Sequence, residues 1–472
     1  MSLIRIKDNN YRGITLEKAM DPNSDYEQTY KDLEHIANIS LKSLVDKNQN
    51  LLIFPQDLKS SKDKIGDLPI LQTVFGNESY SKVKLFTNNL MGFVGYGNTQ
   101  ISITSRFCND GEKDFFLHYL LQKVFNINLF NLDFSFGING YFDLLMFMFP
   151  VFLKKAGKQG IYREYRTFKR NDNKVKGTID IKRYIRMNIP FDGNISYNSR
   201  EYTYDNHITE LIRHTIEYIK CKKNGIKILS EDYEANKIVN QIYQATPSYS
   251  KNERQKIIGK NLKKVSHPYF TEYIPLQLLC LQILQNEKLC YQTDEKKVYG
   301  ILFDGAWLWE EFLSTVLYKK DHKIVHPKNK DGTGGIKLFY NSRTNYFPDF
   351  RLPKKENHEE SIVILDAKYK DMKIDNDEDF EDVNISIQRE DKFQMITYIH
   401  VQNAAKGIFL YPYRVKLYNK KNLPQILKSK ELRIKGMQGT IYSKGFPILS
   451  EATDFAEYSE LMDSIMNKFT FD

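Results

Sequence analysis

Two carboxylates and one amine stand at spacings that can do chemistry. The stretch SIVILDAKYK, residues 361–370, runs four aliphatics, Ile362 to Leu365, straight into Asp366, Ala367 and Lys368. A continuous aliphatic run of that length reads as a strand buried on both faces. An acid and a base at its end are costly to bury unless each is paired or bound. Upstream, NYFPDFRL carries Pro348 and Asp349, the latter 17 residues before Asp366. The polar stretch PKKENHEE between them reads as a hairpin turn. Paired in the obvious register, the two strands bring Asp349 beside Asp366, and the two-residue period puts Asp366 and Lys368 on one face. Hard Mg2+ prefers carboxylate oxygens and retains several waters; Mn2+ is the alternative ion. Held there, such an ion stabilises charge on a phosphate and lowers the pKa of a bound water. A neighbouring lysine can orient or deprotonate that water and offset transition-state charge. The chemistry implied is metal-dependent phosphodiester hydrolysis, with Asp349 and Asp366 as metal ligands and Lys368 acting on the water.

The pattern reads as a PD-(D/E)xK nuclease motif. A D-x-K triplet alone is common by chance, and the plain alternative is a surface Asp–Lys pair at a strand end. The Pro-Asp strand, the hairpin, the aliphatic strand and a following helix together favour the motif. In AWLWEEFLSTVLY, Leu308, Trp309, Phe312, Leu313, Val316 and Leu317 form an apolar helix face. At about 100° per residue, Glu310 falls at the edge of that face and Glu311 on the polar side. Glu310 is therefore the candidate for a further metal-site carboxylate, against the alternative of a solvated glutamate. In REDKFQMITYIHV, Gln394 and Tyr398 are four residues apart and share a stripe with Val401. Gln394 can reach phosphate or water there, or Tyr398 packs and Gln394 is a surface side chain.

The chain of 472 residues is long enough for two or three domains. Apolar residues make up 41% and charged residues 27%, which suits a folded protein with sizeable cores. Residues 1–110 read as a β-rich domain, with NLLIFP, KVKLFT, MGFVGYG and TQISITSRF as strands and residues 26–46 as a helical exception. Residues 111–294 carry apolar residues at helical spacing and read as a mainly helical middle region. From 295 to 472 the period alternates: helix at 305–319, strands near 336–341, 346–352 and 361–369, helix at 388–402, strand at 406–412, and a final helix in DFAEYSELMDSIMNKF. The expected fold class is α+β and multidomain, ending in a nuclease core with a mixed central sheet flanked by helices.

FPDFRL, SIVILDAKYK, DKFQMITYI and KGIFLYPYR together resemble the nuclease domain of McrC, the cleaving subunit of McrBC-type restriction systems, in its LlaJI-like branch. KVKGTIDIKRYI and EYTYDNHITELIRHTIEYI also resemble that family's central region, so the resemblance covers residues 80–415. It implies a nuclease partnered with a hexameric McrB-like AAA+ GTPase, which binds the GTP and supplies recognition and translocation of double-stranded DNA. It also implies that the β-rich N-terminal part engages the ring. Carried over, Asp349, Asp366 and Lys368 are the catalytic set, with Gln394 as the helix glutamine and Glu310 as a looser match.

Other features weigh less. GFVGYGNT, residues 92–99, nearly fits a phosphate loop, but Asn98 stands where the lysine belongs and a strand pattern follows. A glycine-rich hairpin is the expectation. DNDEDFED from Asp375 starts like a calcium loop, but Phe380 replaces the required glycine and Ser386 the final glutamate, which leaves a solvated acidic loop. Residues 154–186 hold twelve Lys and Arg against three Asp and Glu, nearly the whole net charge of +10. Within them Lys169, Arg170, Lys174, Lys176, Lys182 and Arg183 are the candidates for phosphate-backbone contact; a solvated face or a dock for an acidic partner are the alternatives. Cys108, Cys221, Cys280 and Cys290 lack zinc-site spacing and read as reduced thiols of a cytoplasmic chain. The histidines, His358 and His400 among them, show no ligand spacing and receive no role. No signal peptide or membrane span is expected, since YFDLLMFMFPVFL is too short to cross a bilayer and reads as a buried helix. A non-catalytic adaptor of an AAA+ ring and a stand-alone DNA-repair nuclease are the alternative functions.

Overall fold

The computed structural model describes residues 2–48, 51–55, 65–76, 79–108, 113–126, 138–222, 224–291, 298–326, 335–341, 343–356, 359–370, 387–415, 426–428, 431–436, 439–449, 452 and 454–471. The chain divides into two compact units, one of residues 1–141 with 293–472 and one of residues 142–292. The fold is mixed α/β.

In the first unit, five strands form a sheet in the order Ser2–Lys7, Thr99–Thr104, Leu90–Tyr96, Tyr299–Asp304, Leu51–Phe54. The two outer pairs are parallel and the two inner pairs antiparallel. Tyr299–Asp304 and Leu51–Phe54 are buried along their whole lengths, as their unbroken apolar runs require. The three expected segments met at 110 and 294, whereas here a strand from beyond 294 completes the N-terminal sheet. Gly92 allows that insertion: its φ is +128°, and a Cβ there would lie 2.3 Å from the Ile301 carbonyl oxygen. The near-phosphate-loop is a hairpin, with Leu90–Tyr96 and Thr99–Thr104 joined through Gly97 at φ +56°. The helical exception appears as Tyr26–Leu33 and Leu41–Lys47, capped by Asp25 and Ser40.

A second sheet of this unit runs Phe350–Glu356, Glu359–Ala367, Lys406–Val415, Thr440–Leu449, Leu427–Lys428, with Leu432–Arg433 also on Thr440–Leu449. The first pair is antiparallel, and the next two are parallel. Ile364, Phe409, Tyr411 and Tyr413 pack with Met395, Tyr398 and Ile399 of the helix Arg389–Gln402. The helix Gly305–Lys320 also packs on Glu359–Ala367, and the C-terminal helix Phe455–Asn467 on Thr440–Leu449. The expected strand at 336–341 is not formed: Ile336 makes one bridge to Tyr346, and Phe339 and Tyr340 are exposed. Its alternation had no second apolar face to match.

The second unit holds a three-stranded antiparallel sheet in the order Glu164–Asp172, Ile195–Thr203, Thr178–Ile179. The middle region was read as mainly helical, and this sheet escaped because its strands are polar on both faces. Around it stand helices that include Ile181–Met187, His207–Lys220, Tyr233–Ala245 and Tyr273–Tyr291. Asn206 and Thr209 form a capping box at the start of His207–Lys220. The expected buried helix, Ile138–Gly157, spans the boundary and carries Pro150 inside it. Among the described residues no helix is long and apolar enough to cross a membrane. Cys108, Cys221 and Cys280 carry no disulfide.

Candidate active site

The hairpin sets the register. Phe350 pairs with Leu365, so one step further places Asp349 opposite Asp366. Directly opposed residues of an antiparallel pair share a face. Asp366 is 4% exposed, at the mouth of the buried Val363–Leu365 run. The Ala367 backbone N–H donates to Asp349 Oδ2 at 2.7 Å and fixes that carboxyl. Lys368 is held by its own N–H, which donates to the Leu410 carbonyl at 2.9 Å and extends the ladder. Its ammonium lies 2.7 Å from Asp366 Oδ2. It also donates to Gln394 Oε1 at 3.2 Å and lies 3.4 Å from Asp391 Oδ1. Gln394 is steadied by Tyr398, whose hydroxyl accepts from its amide at 3.3 Å. Asp349, Asp366, Lys368 and Gln394 are thus brought together.

The electrostatics follow from the crowding. Loss of hydration, then the charges of Asp366 and Glu310, raise the Asp349 pKa well above the ordinary carboxylate value, against the opposing pull of Lys368. The close approach of the Asp366 carboxyl group adds to the rise. For Lys368, burial works against the charge, but Asp366, then Asp391 and Asp349, more than compensate and raise its pKa. Lys368 is a firm cation here, which favours orienting water and offsetting charge over accepting a proton.

Glu310 sits on Gly305–Lys320, whose start is capped by Asp304 accepting from the Ala306 N–H at 3.0 Å. Trp309 anchors that helix by donating to the Leu410 carbonyl at 3.3 Å, the same oxygen that holds Lys368. The Glu310 carboxylate is tied to His326 Nε2 at 2.5 Å. Among the described residues no group of three His, Cys, Asp or Glu forms a ready metal cage, though the Glu310 charge acts on Asp349. The donor set that remains is a pair of mutually repelling hard carboxylates. That set fits Mg2+, which is usually held by one or two carboxylates and keeps several waters.

Two contacts escaped the sequence. Asp391 bonds both Lys368 and Lys370, the latter at 2.7 Å. Its position three residues before Gln394, on one helix face, is the signal that could have pointed to it. His326 was given no role with the other histidines, yet it bonds Glu310 and its ring lies 4.7 Å from that of Phe350, next to Asp349. Nothing in its spacing marks it, since a loop residue's place depends on the whole fold. Replacing His326 by alanine frees Glu310 and is expected to lower DNA cleavage by about 10-fold, with the Lys368–Asp366 pair intact. Cleavage titrated with Mg2+ measures this.

The basic candidates separate. Arg170 is bound to Glu201 at 2.8 Å, and Arg183 donates to the Arg170 and Tyr197 carbonyls at 2.6 and 3.0 Å. Both are engaged in holding the second unit's sheet. Lys169, Lys174, Lys176 and Lys182 are exposed. His358 and the acidic loop from Asp375 lie outside the described residues.

A family described as McrBC 5-methylcytosine restriction system component matches residues 85–412, which include all five site candidates. The chain belongs to this family. This is the McrBC family that the sequence resembled. A refined half-complex from a tetradecameric assembly of Thermococcus gammatolerans McrB AAA+ hexamers with bound McrC is similar at TM-score 0.45 and 13% identity, covering 98% of this chain and 100% of its own. The cryo-EM structure of the Thermococcus gammatolerans McrBC complex is similar at TM-score 0.32 and 15% identity, covering 67% of this chain and 87% of its own. No curated protein matches the chain.

Proposed function

We propose that this McrBC component is the nuclease subunit of a GTP-dependent restriction complex and hydrolyses phosphodiester bonds of double-stranded DNA. The observation that carries the reading is the meeting of Asp349, Asp366 and the Lys368 cation at the end of one buried strand, inside the family-matched segment. Asp349 and Asp366 hold Mg2+, or Mn2+, with Glu310 as a further carboxylate beside them. The bound ion supplies Lewis acidity toward phosphate and water. Lys368 orients the attacking water and offsets charge on the phosphate, and Asp391 and Gln394 keep its ammonium in place. The core is then of the PD-(D/E)xK type. GTP belongs to a partner, a McrB-like AAA+ hexamer that recognises and translocates DNA in the cytoplasm, because the glycine-rich stretch of this chain is a hairpin without a phosphate-binding lysine. Residues 1–110 dock on that ring, and Lys169, Lys174, Lys176 and Lys182 contact the DNA backbone.

Reconstitution tests this. The chain mixed with its cognate AAA+ protein, duplex DNA, GTP and Mg2+ is expected to cut the DNA. Omitting GTP, the partner or the metal is expected to stop it. Cutting without the partner indicates a stand-alone nuclease. Stimulated GTP hydrolysis with no cutting indicates an adaptor, and either result overturns the proposal.

A further inference from the structure

Tyr369 follows Lys368, and by the strand period its side chain leaves on the opposite face. It is 5% exposed. Its hydroxyl lies 3.3 Å from Met91 Sδ, and Phe107 meets its ring edge-on at 5.7 Å. A Cβ on Gly305 would come within 2.5 Å of the ring, so the ring lies against the first residue of the Glu310 helix. The Arg106 guanidinium stands 4.5 Å from the ring centroid, and its Nη1 donates to the Tyr369 carbonyl at 3.4 Å.

Arg106 is itself fixed. Its Nη2 donates to Asp8 Oδ2 at 2.7 Å and to Asn89 Oδ1 at 2.6 Å, and its backbone N–H donates to Asp8 Oδ1 at 2.5 Å. Asp8 is 2% and Arg106 8% exposed. A buried ion pair is a poor device for stability, because apolar residues of similar volume often do as well or better. What the arginine adds is a directed bond to the backbone beside Lys368, which an apolar side chain cannot make.

The geometry points to Arg106 as a positioning residue: with Asp8 and Asn89 it locks Tyr369, and so sets where the Lys368 ammonium meets Asp366. The lysine backbone is then held at two points, by Leu410 at its own N–H and by Arg106 at the next carbonyl. The same ring touches Gly305, so the lysine strand and the Glu310 helix take their spacing from one side chain. This rests on the nuclease reading for its consequence in catalysis, but not for its consequence in local structure.

Three variants of the full chain test it. Asp8→Leu with Arg106→Met removes the pair without stranding a charge. Arg106→Lys keeps the charge and loses the fork. Gly305→Ala presses on the Tyr369 ring with both charges intact. Amide exchange at Lys368–Lys370 is expected to quicken about 10-fold while the melting temperature holds. With the AAA+ partner, the single-turnover cutting rate at saturating DNA is expected to fall about 10- to 100-fold with unchanged half-saturation, and Arg106→Lys is expected to recover part of it. Unchanged exchange in all three variants overturns the assignment. So does exchange that quickens throughout the chain with a falling melting temperature, and so does quickened local exchange with wild-type cutting. Quickened local exchange in a chain whose wild type cuts no DNA keeps the assignment and overturns the nuclease reading instead.

Discussion

Asp366→Ala and Lys368→Ala are each expected to reduce DNA cleavage by about 1,000-fold or more, while the fold and binding to the AAA+ partner persist. The size follows from what each group touches. Asp366 is the carboxylate nearest the lysine, at 2.7 Å, and it also faces Asp349. Its removal takes away one of the two proposed metal-ligand carboxylates and leaves Lys368 nearest Asp391, 3.4 Å away. In the proposed mechanism, loss of Lys368 leaves the phosphate charge without its counter-ion and the two aspartates without theirs. Asp366→Asn and Lys368→Met, which keep volume, separate lost chemistry from lost packing. Cleavage is measured on duplex DNA with partner, GTP and Mg2+, beside melting curves and partner binding. A variant that cuts within about ten-fold of wild type removes its residue from the catalytic set.

Asp349→Asn is also expected to abolish cleavage, yet to stabilise the metal-free protein. Asp349 has a folded-state pKa raised above its unfolded value, through burial and the charges of Asp366 and Glu310. A raised acid favours the folded state fully only below the ordinary carboxylate pKa, and that contribution is lost as pH rises through the folded value. Metal-free wild type therefore loses stability across that window. The asparagine variant is expected to show no such loss, to keep an acceptor for the Ala367 N–H, and to gain on the order of 1 kcal/mol at the alkaline end. Mg2+ is expected to reverse the order. At about 100 times its Kd a bound ligand adds about 2.7 kcal/mol to wild type, and the variant lacks half of the carboxylate pair that holds it. Melting curves against pH, in EDTA and in Mg2+, check both halves. A variant that melts with the wild-type pH slope in EDTA removes Asp349 as the strained group.

What was legible in the sequence is the part governed by short periods. Ile362–Leu365 announced a buried strand, and the 17-residue step to Asp349 announced a hairpin whose register sets the two aspartates opposite each other. The helix Arg389–Gln402 and the strand Lys406–Val415 fell where their patterns placed them. Contacts made over long chain distances were not legible. Tyr299–Asp304 pairs with Leu90–Tyr96 and Leu51–Phe54, and no local pattern carries that information. His326 meets Glu310 through a loop, and Arg106 meets Tyr369 from 263 residues away. Charge counting also could not show that Arg170 and Arg183 brace their own sheet, because a cation with an intramolecular partner looks the same in sequence as one without.

The placement of Tyr299–Asp304 has a consequence for how the chain is made. Among the described residues, Leu51–Phe54 has no ladder partner except this strand, and Leu90–Tyr96 has its second edge covered only by it. Synthesis runs from the N-terminus, so the first 141 residues emerge with an unfilled slot between two apolar strands. Residues 142–292, the second compact unit, are synthesised before the missing strand leaves the ribosome. Nascent chains halted in that interval carry an open, sticky sheet edge. Slowing translation through the second unit is therefore expected to lower the yield of folded chain.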